Sequence, residues 1–143
     1  MNNPFYVKVY TSLPQSAMDI RVKVFVDEQG FRDEPDEIDT VAAHFVMYDA
    51  EKPIATCRLF SREGENSFIL GRLAVLKEYR GMGAGSAMLR EAEKYAISKG
   101  KDSIILHSQK RAEEFYQKSG FVSFGEIEYE ENYPHVWMKK ELK

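Results

Sequence analysis

The sequence has little of several features that mark special classes of protein. Its 143 residues include one cysteine, Cys57, which excludes an intramolecular disulfide framework and a zinc site built from several cysteines. No apolar run approaches the ~20 residues of a membrane-spanning helix, and residues 1–4 lack the basic and apolar regions of a signal peptide. Basic residues number 20 and acidic residues 23, so no basic excess is available for nucleic acid. We therefore expect a cytoplasmic chain without a membrane or nucleic-acid partner.

What the sequence does contain suits one globular domain. Apolar residues make up 43% and aromatic residues 13%, which is enough for a packed core at this length. No repeat, low-complexity tract or Gly/Ser/Pro-rich linker divides the chain, so we expect a single domain over residues 1–143. Cys57 lies within a strand-like alternation, and we interpret it as a core residue rather than a nucleophile.

Hydrophobic periodicity predicts an α/β protein (a mixed α+β sheet) with the element order β-α-β-β-β-α-β-α-β-β. Early hairpins imply antiparallel pairing, whereas the strand–helix–strand unit over residues 68–107 implies a parallel pair. The first helix is predicted from an N-cap at Ser16 to a stop at Gly30. The predicted strands cover residues 5–10, 43–48, 54–60, 68–76, 103–107, 122–128 and 135–140, and the later helices cover residues 86–99 and 111–119.

The sharpest local feature is the glycine-rich turn at residues 80–85, between a predicted buried strand and a long helix. Glycines let the backbone approach a ligand closely, and the first turn of a helix offers N–H donors without partners. With Arg80 beside them, these groups predict a phosphate or pyrophosphate site. The Walker pattern is absent, and Ser86 stands where a dinucleotide-binding turn has Gly or Ala. The alternative is a turn that only joins strand to helix.

Three segments in the order of the chain then show a resemblance. Residues 73–75 (LAV), residues 80–85 (RGMGAG) and residues 115–121 (FYQKSGF) together resemble the GNAT superfamily of N-acetyltransferases, and the element order matches that fold over nearly the whole chain. Residues 21–30, an acidic loop ending at Asp39, and the pairs at residues 43–44 and 134–135 are similar to a small single-domain bacterial branch (ElaA- and YjcF-like).

The resemblance implies an acyl-CoA N-acyltransferase fold that takes acetyl-CoA as co-substrate and needs no metal. The implied reaction is direct transfer of the acetyl group to a primary amine. We expect this amine to belong to a small molecule, and the second choice is an amine of a protein. An alternative is a non-catalytic acyl-CoA-binding or regulatory domain that keeps the cofactor site without turnover.

The resemblance also implies the cofactor contacts. The pyrophosphate would lie on the amides of residues 81–86, the pantetheine arm along residues 73–75, and the thioester where that strand and the 103–107 strand separate. An amide at or beside Leu73, on a strand bulge, would donate to the oxyanion. Many members carry Asn where Gln109 stands. The implied cofactor-binding residues are Leu73, Ala74, Val75, Arg80, Gly81, Met82, Gly83, Ala84, Gly85, Ser86, Gln109, Tyr116 and Lys118.

The proton donors and acceptors are assigned only in part. In the family, Tyr116 is the usual general acid, and the alternative is a core aromatic. The candidate base or acceptor-site residues are Glu28, His44 and His135, for each of which a structural hydrogen bond or a base acting through water stays open. We interpret His107, on a short buried strand, as a packed histidine.

Two acidic segments complete the candidates. Each is either a solvated surface or a collar that attracts a cationic amine such as a polyamine or a basic peptide. The last strand pair also offers an edge at which a homodimer can form. The acidic segments consist of Asp33, Glu34, Asp36, Glu37 and Asp39, and of Glu126, Glu128, Glu130 and Glu131.

Overall fold

The computed structural model describes residues 4–143, so residues 1–3, within the stretch where no signal peptide is expected, lie outside the described residues. The predicted α/β class and the order of strands and helices are confirmed. The strands are β1 Phe5–Tyr10, β2 Ala43–Asp49, β3 Lys52–Ser61, β4 Ser67–Val75, β5 Ser103–Gln109, β6 Val122–Glu130 and β7 Tyr133–Glu141. The α-helices are α1 Gln15–Arg21, α2 Ala84–Ser98 and α3 Glu113–Lys118.

The strands form a mixed sheet in the order β1-β2-β3-β4-β5-β7-β6. As predicted, β4 and β5 pair in parallel, with a ladder from Ser67–Ser103 to Leu70–Leu106. The pairs β1–β2, β2–β3, β5–β7 and β6–β7 are antiparallel. The chain divides into two compact units, one reaching to Phe60 and resuming over Arg72–Ala92, and the other covering Ser61–Gly71 and Glu93–Lys143.

The first unit has its core in the nearly continuous apolar runs of β2 and β3, where Phe45 and Cys57 face each other in register and are both 1% exposed. The interpretation of Cys57 as a core residue is confirmed, and burial raises the pKa of its thiol. A second cluster joins Ile20 and Val24 to the end of β4 and the residue after it. Burial of these side chains fixes the first helix against the strand that leads to the glycine-rich turn.

The first helix differs from its prediction in both its start and its winding. Pro14, not Ser16, occupies the N-cap position, where a missing N–H costs nothing. The α-helix ends at Arg21 and continues as a π-helix over Val22–Glu28. Valines alternate through this segment, and β-branched side chains crowd an α-helical turn. Gly30 closes the segment with φ = +76°.

The second unit is built on β5, β7 and β6, with β6 at the edge of the sheet. The β6–β7 hairpin turns through Glu131 and Asn132, both with positive φ, and the β6 register shifts between Phe124 and Glu128. Apolar side chains on β6 are exposed, including Tyr129 at 71%. The homodimer edge stays a prediction. Over residues 4–143, no helix has the length and apolar character needed to cross a bilayer.

Candidate active site

The glycine-rich turn has the backbone conformation that its sequence predicts. After β4, Gly81 and Gly83 both have φ = +79°, a left-handed conformation that favours glycine. A Cβ added to either residue would meet no heavy atom within 4 Å, so the space above the turn is open. Helix α2 begins at Ala84, and the amide of Ala87 donates to the carbonyl of Gly83 at 2.9 Å. The amides just before Ala87 therefore belong to the first helical turn, which lacks carbonyl partners within the helix.

Arg80 is held beside this turn by two anchors. Its Nε donates to the carbonyl of Val75 at 3.0 Å, and its two terminal nitrogens donate to both carboxylate oxygens of Glu28 at 2.8 and 2.7 Å. The hydrogen bonds from Arg80 lower the pKa of Glu28. A carboxylate with a lowered pKa is a weaker base, so this ion pair disfavours Glu28 as the residue that deprotonates the amine.

The backbone of β4 is irregular at Arg72. This residue has φ = +55°, a left-handed conformation within a strand, which is unusual for a residue other than glycine. Its side chain is held by Asp33, with Nε 3.3 Å from the carboxylate, and lies 3.8 Å from Asp36. The strand continues to Val75, beyond Leu70, the last residue in the ladder with β5. The amide of Leu73 follows directly on the left-handed residue.

The acidic loop differs from both predictions made for it, because the first and last of its five carboxylates are buried. Asp33 and Asp39 are 8% and 3% exposed, and both accept hydrogen bonds from Arg21, which is 1% exposed. Arg58 pairs with Asp39 and Asp36, each at 2.8 Å. Burial alone would raise the pKa of Asp39, but hydrogen bonds from Arg21, the Asp36 amide and Arg58 hold this pKa well below its usual range.

Most of this acidic charge is therefore neutralised inside the protein. Of the predicted collar in this loop, Glu34 and Glu37 are the exposed members, and Asp36 is half-buried. The interpretation of the whole loop as a solvated surface or a collar for cations is thus wrong for Asp33 and Asp39. Their role is to bury an arginine and to hold the loop in place.

His44 lies inside the same region and makes a structural hydrogen bond. The side chain is 1% exposed, and its Nε2 lies 2.9 Å from the backbone carbonyl of Asp39. Since a carbonyl only accepts, Nε2 carries the hydrogen. The structure therefore favours the structural reading of His44 over the reading as a base.

In the second unit, Tyr116 lies on α3 with 9% exposure. Its ring packs edge-on against Phe115 and Phe121, at centroid distances of 5.0 and 5.8 Å. The helix ends just beyond it, where the amide of Phe121 donates to the carbonyl of Tyr116 and Gly120 has φ = +97°. Aromatic packing and the helix end together hold the phenol in one orientation.

Two further cofactor-contact candidates in this unit have partners of their own. The side-chain oxygen of Gln109 accepts a hydrogen bond of 2.7 Å from Arg111 Nε, so this glutamine is already engaged by a neighbour. Lys118 is exposed, and its Nζ lies 3.4 Å from Oε1 of Glu114. Their assignments to cofactor binding stay predictions.

A group that the sequence analysis did not assemble lies on β5, β6 and β7. His135 is 6% exposed, donates from Nδ1 to the carbonyl of Tyr133 and has Nε2 3.4 Å from Glu130. His107, opposite Trp137 in the β5–β7 register, stacks on that indole at 4.4 Å. The sequence carries no sign of this group, because the register of β6 depends on the irregularity after Phe124. Within residues 4–143, no group of three or more His, Cys, Asp or Glu side chains has the arrangement of a metal site.

Comparison with known proteins places this geometry in a family. The model of the Acetyltransferase (GNAT) domain matches residues 15–142. YjcF of Bacillus subtilis, named as an uncharacterized N-acetyltransferase, is 35% identical over 130 residues, covering 89% of this chain and 91% of that protein. The crystal structure of Escherichia coli ElaA aligns with a TM-score of 0.84 at 21% identity, covering 96% of this chain and 99% of ElaA.

A third comparison concerns a structure that contains the cofactor. A GNAT family acetyltransferase from Elizabethkingia anophelis, with acetyl-CoA bound, aligns with a TM-score of 0.76 at 14% identity over 98% of this chain and 99% of that one. The family match, the YjcF relative and the shared fold agree with the glycine-rich turn and the β-α order described above. The chain belongs to the GNAT family of acetyltransferases and is an N-acetyltransferase.

Proposed function

We propose that residues 1–143 form a single domain that transfers the acetyl group of acetyl-CoA directly to a primary amine of a small molecule. The observation that carries this proposal is the open turn with left-handed Gly81 and Gly83 at the start of α2, beside Arg80. Helix N-termini of this kind favour phosphate groups. The bound acetyl-CoA of the Elizabethkingia anophelis relative supports the choice of ligand.

The cofactor would use backbone groups along one path of the first unit. The amides of residues 81–86 would bind the pyrophosphate, and the backbone of residues 73–75 would bind the pantetheine arm. The left-handed conformation of Arg72 turns the backbone just before the Leu73 amide. That turn supports Leu73 as the donor that stabilises the negative charge developing on the thioester oxygen.

Tyr116 would return a proton to the departing sulfur. The reference pKa of a phenol is about 10 and that of an alkyl thiol about 8.5, so the phenol keeps its proton at neutral pH and the transfer is slightly unfavourable without further hydrogen bonding. Fixed aromatic neighbours of Tyr116 reduce the reorganisation that the transfer requires.

The name of the relative YjcF, an uncharacterized N-acetyltransferase, supports an amine as the acceptor, and we propose a primary amine. A small molecule is preferred to a protein amine because the loop carboxylates are largely used inside the protein. Buried Asp33 and Asp39 pair with arginines, which leaves little continuous negative surface on this loop for a basic peptide.

A thermal-melting experiment tests the cofactor assignment. Acetyl-CoA at 100 times its dissociation constant should add about 2.7 kcal/mol of stability. We expect Gly83→Ala to weaken this response, because its φ of +79° strains any side chain at the phosphate turn. Gly64→Ala is the matched control, since Gly64 has φ = +83° and similarly open space but lies in the β3–β4 turn. An absence of any shift at millimolar acetyl-CoA would refute the proposal.

Release of free thiol with a panel of amines tests the chemistry. Tyr116→Phe should lower turnover while leaving the acetyl-CoA shift intact, because the phenol oxygen acts on the leaving group. A Tyr116→Phe enzyme as fast as the parent would remove this residue from the mechanism. A clear acetyl-CoA shift without thiol release from any amine would instead support a non-catalytic acyl-CoA-binding domain.

A further inference from the structure

Arg72 differs from the other left-handed residues that are not glycine by its place in the fold. In the part of the chain that the structure describes, four such residues have positive φ: Ala50, Arg72, Glu131 and Asn132. Ala50 lies in the turn between β2 and β3, and Glu131 and Asn132 lie in the turn between β6 and β7. Arg72 alone of the four lies inside a strand, β4. A side chain in this conformation is strained, and it keeps the conformation only where surrounding contacts hold it.

Two carboxylates of the acidic loop hold the Arg72 side chain. Its Nε donates to Oδ1 of Asp33 at 3.3 Å, and its Nη2 lies 3.8 Å from Oδ2 of Asp36. One planar guanidinium thus bridges two carboxylates. Both carboxylates are fixed in turn by buried arginines, because Arg21 donates to Asp33 at 3.0 and 2.9 Å and Arg58 donates to Asp36 at 2.8 Å. Arg72 is therefore tied to α1 and β3 through the loop.

The conformation of Arg72 determines the direction of the next backbone N–H. The N–H of Leu73 belongs to the planar peptide that follows Arg72, so a change of the dihedral angles at Arg72 turns that N–H. The ladder between β4 and β5 ends at Leu70 and does not fix this peptide. Arg72, the acidic loop and residues 73–83 all belong to the first unit. The contacts that hold Arg72 and the proposed cofactor path therefore lie within one compact unit.

We propose that Arg72, Asp33 and Asp36 are positioning residues of the acetyl transfer: the two carboxylates hold Arg72 in its left-handed conformation, and that conformation directs the Leu73 N–H at the thioester oxygen. This inference rests on the proposed function and deepens it, because it names the contacts that place the oxyanion donor. It also gives the acidic loop a part in the reaction in addition to burying Arg21.

The directed N–H acts at one stage of the reaction. When the amine nitrogen bonds to the thioester carbon, an electron pair of the C=O bond moves to the oxygen. The pair returns as the C–S bond breaks, and the sulfur takes the proton that the nitrogen loses. An N–H aimed at this oxygen stabilises a charge that exists only at that stage, and the removal of one such donor costs about 10²–10³-fold in kcat.

The first experiment needs no turnover and compares crystal structures of the ligand-free parent and Arg72→Met. Methionine keeps most of the length of the arginine side chain and removes both contacts to the carboxylates. We expect residue 72 to relax to the negative φ of an ordinary strand in Arg72→Met and to keep its positive φ in the parent. A positive φ in Arg72→Met would overturn the proposal, because the carboxylates would not be what holds the backbone.

The second experiment measures thiol release at saturating acetyl-CoA. Arg72→Met should lower kcat about 10²–10³-fold and leave the KM of the amine unchanged, as expected when an interaction made only in the transition state is lost. Arg72→Gly also removes the guanidinium, but glycine adopts a left-handed φ without strain, so this variant should restore part of the loss. Equal losses in the two variants, or a raised KM with an unchanged kcat, would overturn the proposal.

Ala50→Gly is the matched control for these changes at residue 72. It relieves a φ of +54° in the same unit, in the turn between β2 and β3, and it should leave kcat unchanged. A loss of kcat in Ala50→Gly as large as that in Arg72→Met would show that any change at a left-handed residue disturbs the enzyme, and it would overturn the proposal.

Asp36→Asn tests the loop side of the contact. Asparagine keeps the size of the side chain and removes its charge, and Asp39 remains a partner of Arg58. We expect Asp36→Asn to lower kcat in the parent and to leave it unchanged in Arg72→Gly, because the effects of residues that act through one contact are not additive. The same fold-loss in both backgrounds would overturn the proposal. This comparison is complete without Arg72→Met, should that variant fail to fold.

Folding and cofactor binding serve as controls for each variant. Each should melt cooperatively and keep a shift of melting temperature on adding acetyl-CoA, as the parent does. Absence of the acetyl-CoA shift in the parent would overturn the proposed function itself. The φ of residue 72 in Arg72→Met does not depend on acetyl-CoA, so the two failures are distinguishable.

Discussion

Replacing Arg21 by methionine tests how strongly the buried ion pairs stabilise the first unit. Arg21 is 1% exposed and donates four hydrogen bonds to the carboxylates of Asp33 and Asp39, at 3.0, 2.9, 2.9 and 3.2 Å. Methionine has a similar length and no charge, so Arg21→Met removes the guanidinium and leaves the packing volume nearly filled. Both carboxylates remain buried, with Arg58 and Arg72 as their remaining cationic partners.

The magnitude follows from the cost of a buried charge that loses its partner. Removing one member of a buried ion pair costs about 3–5 kcal/mol. That is a large part of the ~5–15 kcal/mol by which a typical domain is stable. At about 3 °C per kcal/mol for a chain of this size, the melting temperature should fall by about 9–15 °C.

Urea unfolding followed by circular dichroism measures this loss, and Arg80→Met is the matched control. Arg80 also makes a two-pronged pair with a carboxylate, but its side chain and that of Glu28 are 42% and 32% exposed. Such exposed pairs contribute about 0–1 kcal/mol. The reasoning fails if Arg21→Met costs less than about 1 kcal/mol, or no more than Arg80→Met.

Two further predictions concern groups with shifted pKa values. The pKa of Asp39 is lower in the folded chain than the unfolded value of about 3.9, so its stabilisation is complete above that value and is lost as pH falls through the folded pKa. The urea concentration at the unfolding midpoint should therefore decrease as the pH is lowered below about 4, and it should depend less on pH in Asp39→Asn. Equal pH dependence in the parent and in Asp39→Asn would contradict this prediction. Cys57 is buried with a raised pKa, so iodoacetamide should alkylate it far more slowly in the native chain than in urea, and equal rates would show that β3 opens readily.

The order of strands and helices could be predicted from the sequence because it depends on local periodicity. Alternation marks β1, and long apolar runs mark the strands that are covered on both faces. The glycines of the glycine-rich turn could be predicted for a similar reason. Only glycine adopts the left-handed conformation without strain, so Gly81 and Gly83 carry their geometry in their identity.

The buried ion pairs could not be predicted in the same way. Arg21 interrupts an apolar helix face, and a charged residue there is ordinarily expected to face solvent. Its partners lie 12 and 18 residues further along, in a loop whose path is fixed by the pairs themselves. The group around His107 could not be predicted for a related reason, since the carboxylates that face His107 come from β6, and a bulge sets their register.

The π-helix of Val22–Glu28 has a consequence for the angle at which side chains leave the first helix. In an α-helix, residues seven positions apart lie on the same face, so Glu28 would lie on the same buried face as Arg21. Hydrogen bonds from i to i+5 turn the chain through a smaller angle per residue, and Glu28 instead reaches Arg80 near the surface. Arg21 thus pairs inside the protein, whereas Glu28, at the end of the same helical segment, pairs with Arg80 at the glycine-rich turn. Deleting a single residue from this segment would restore α-helical winding. We expect this deletion to break the ion pair between Glu28 and Arg80 even if every apolar contact were kept.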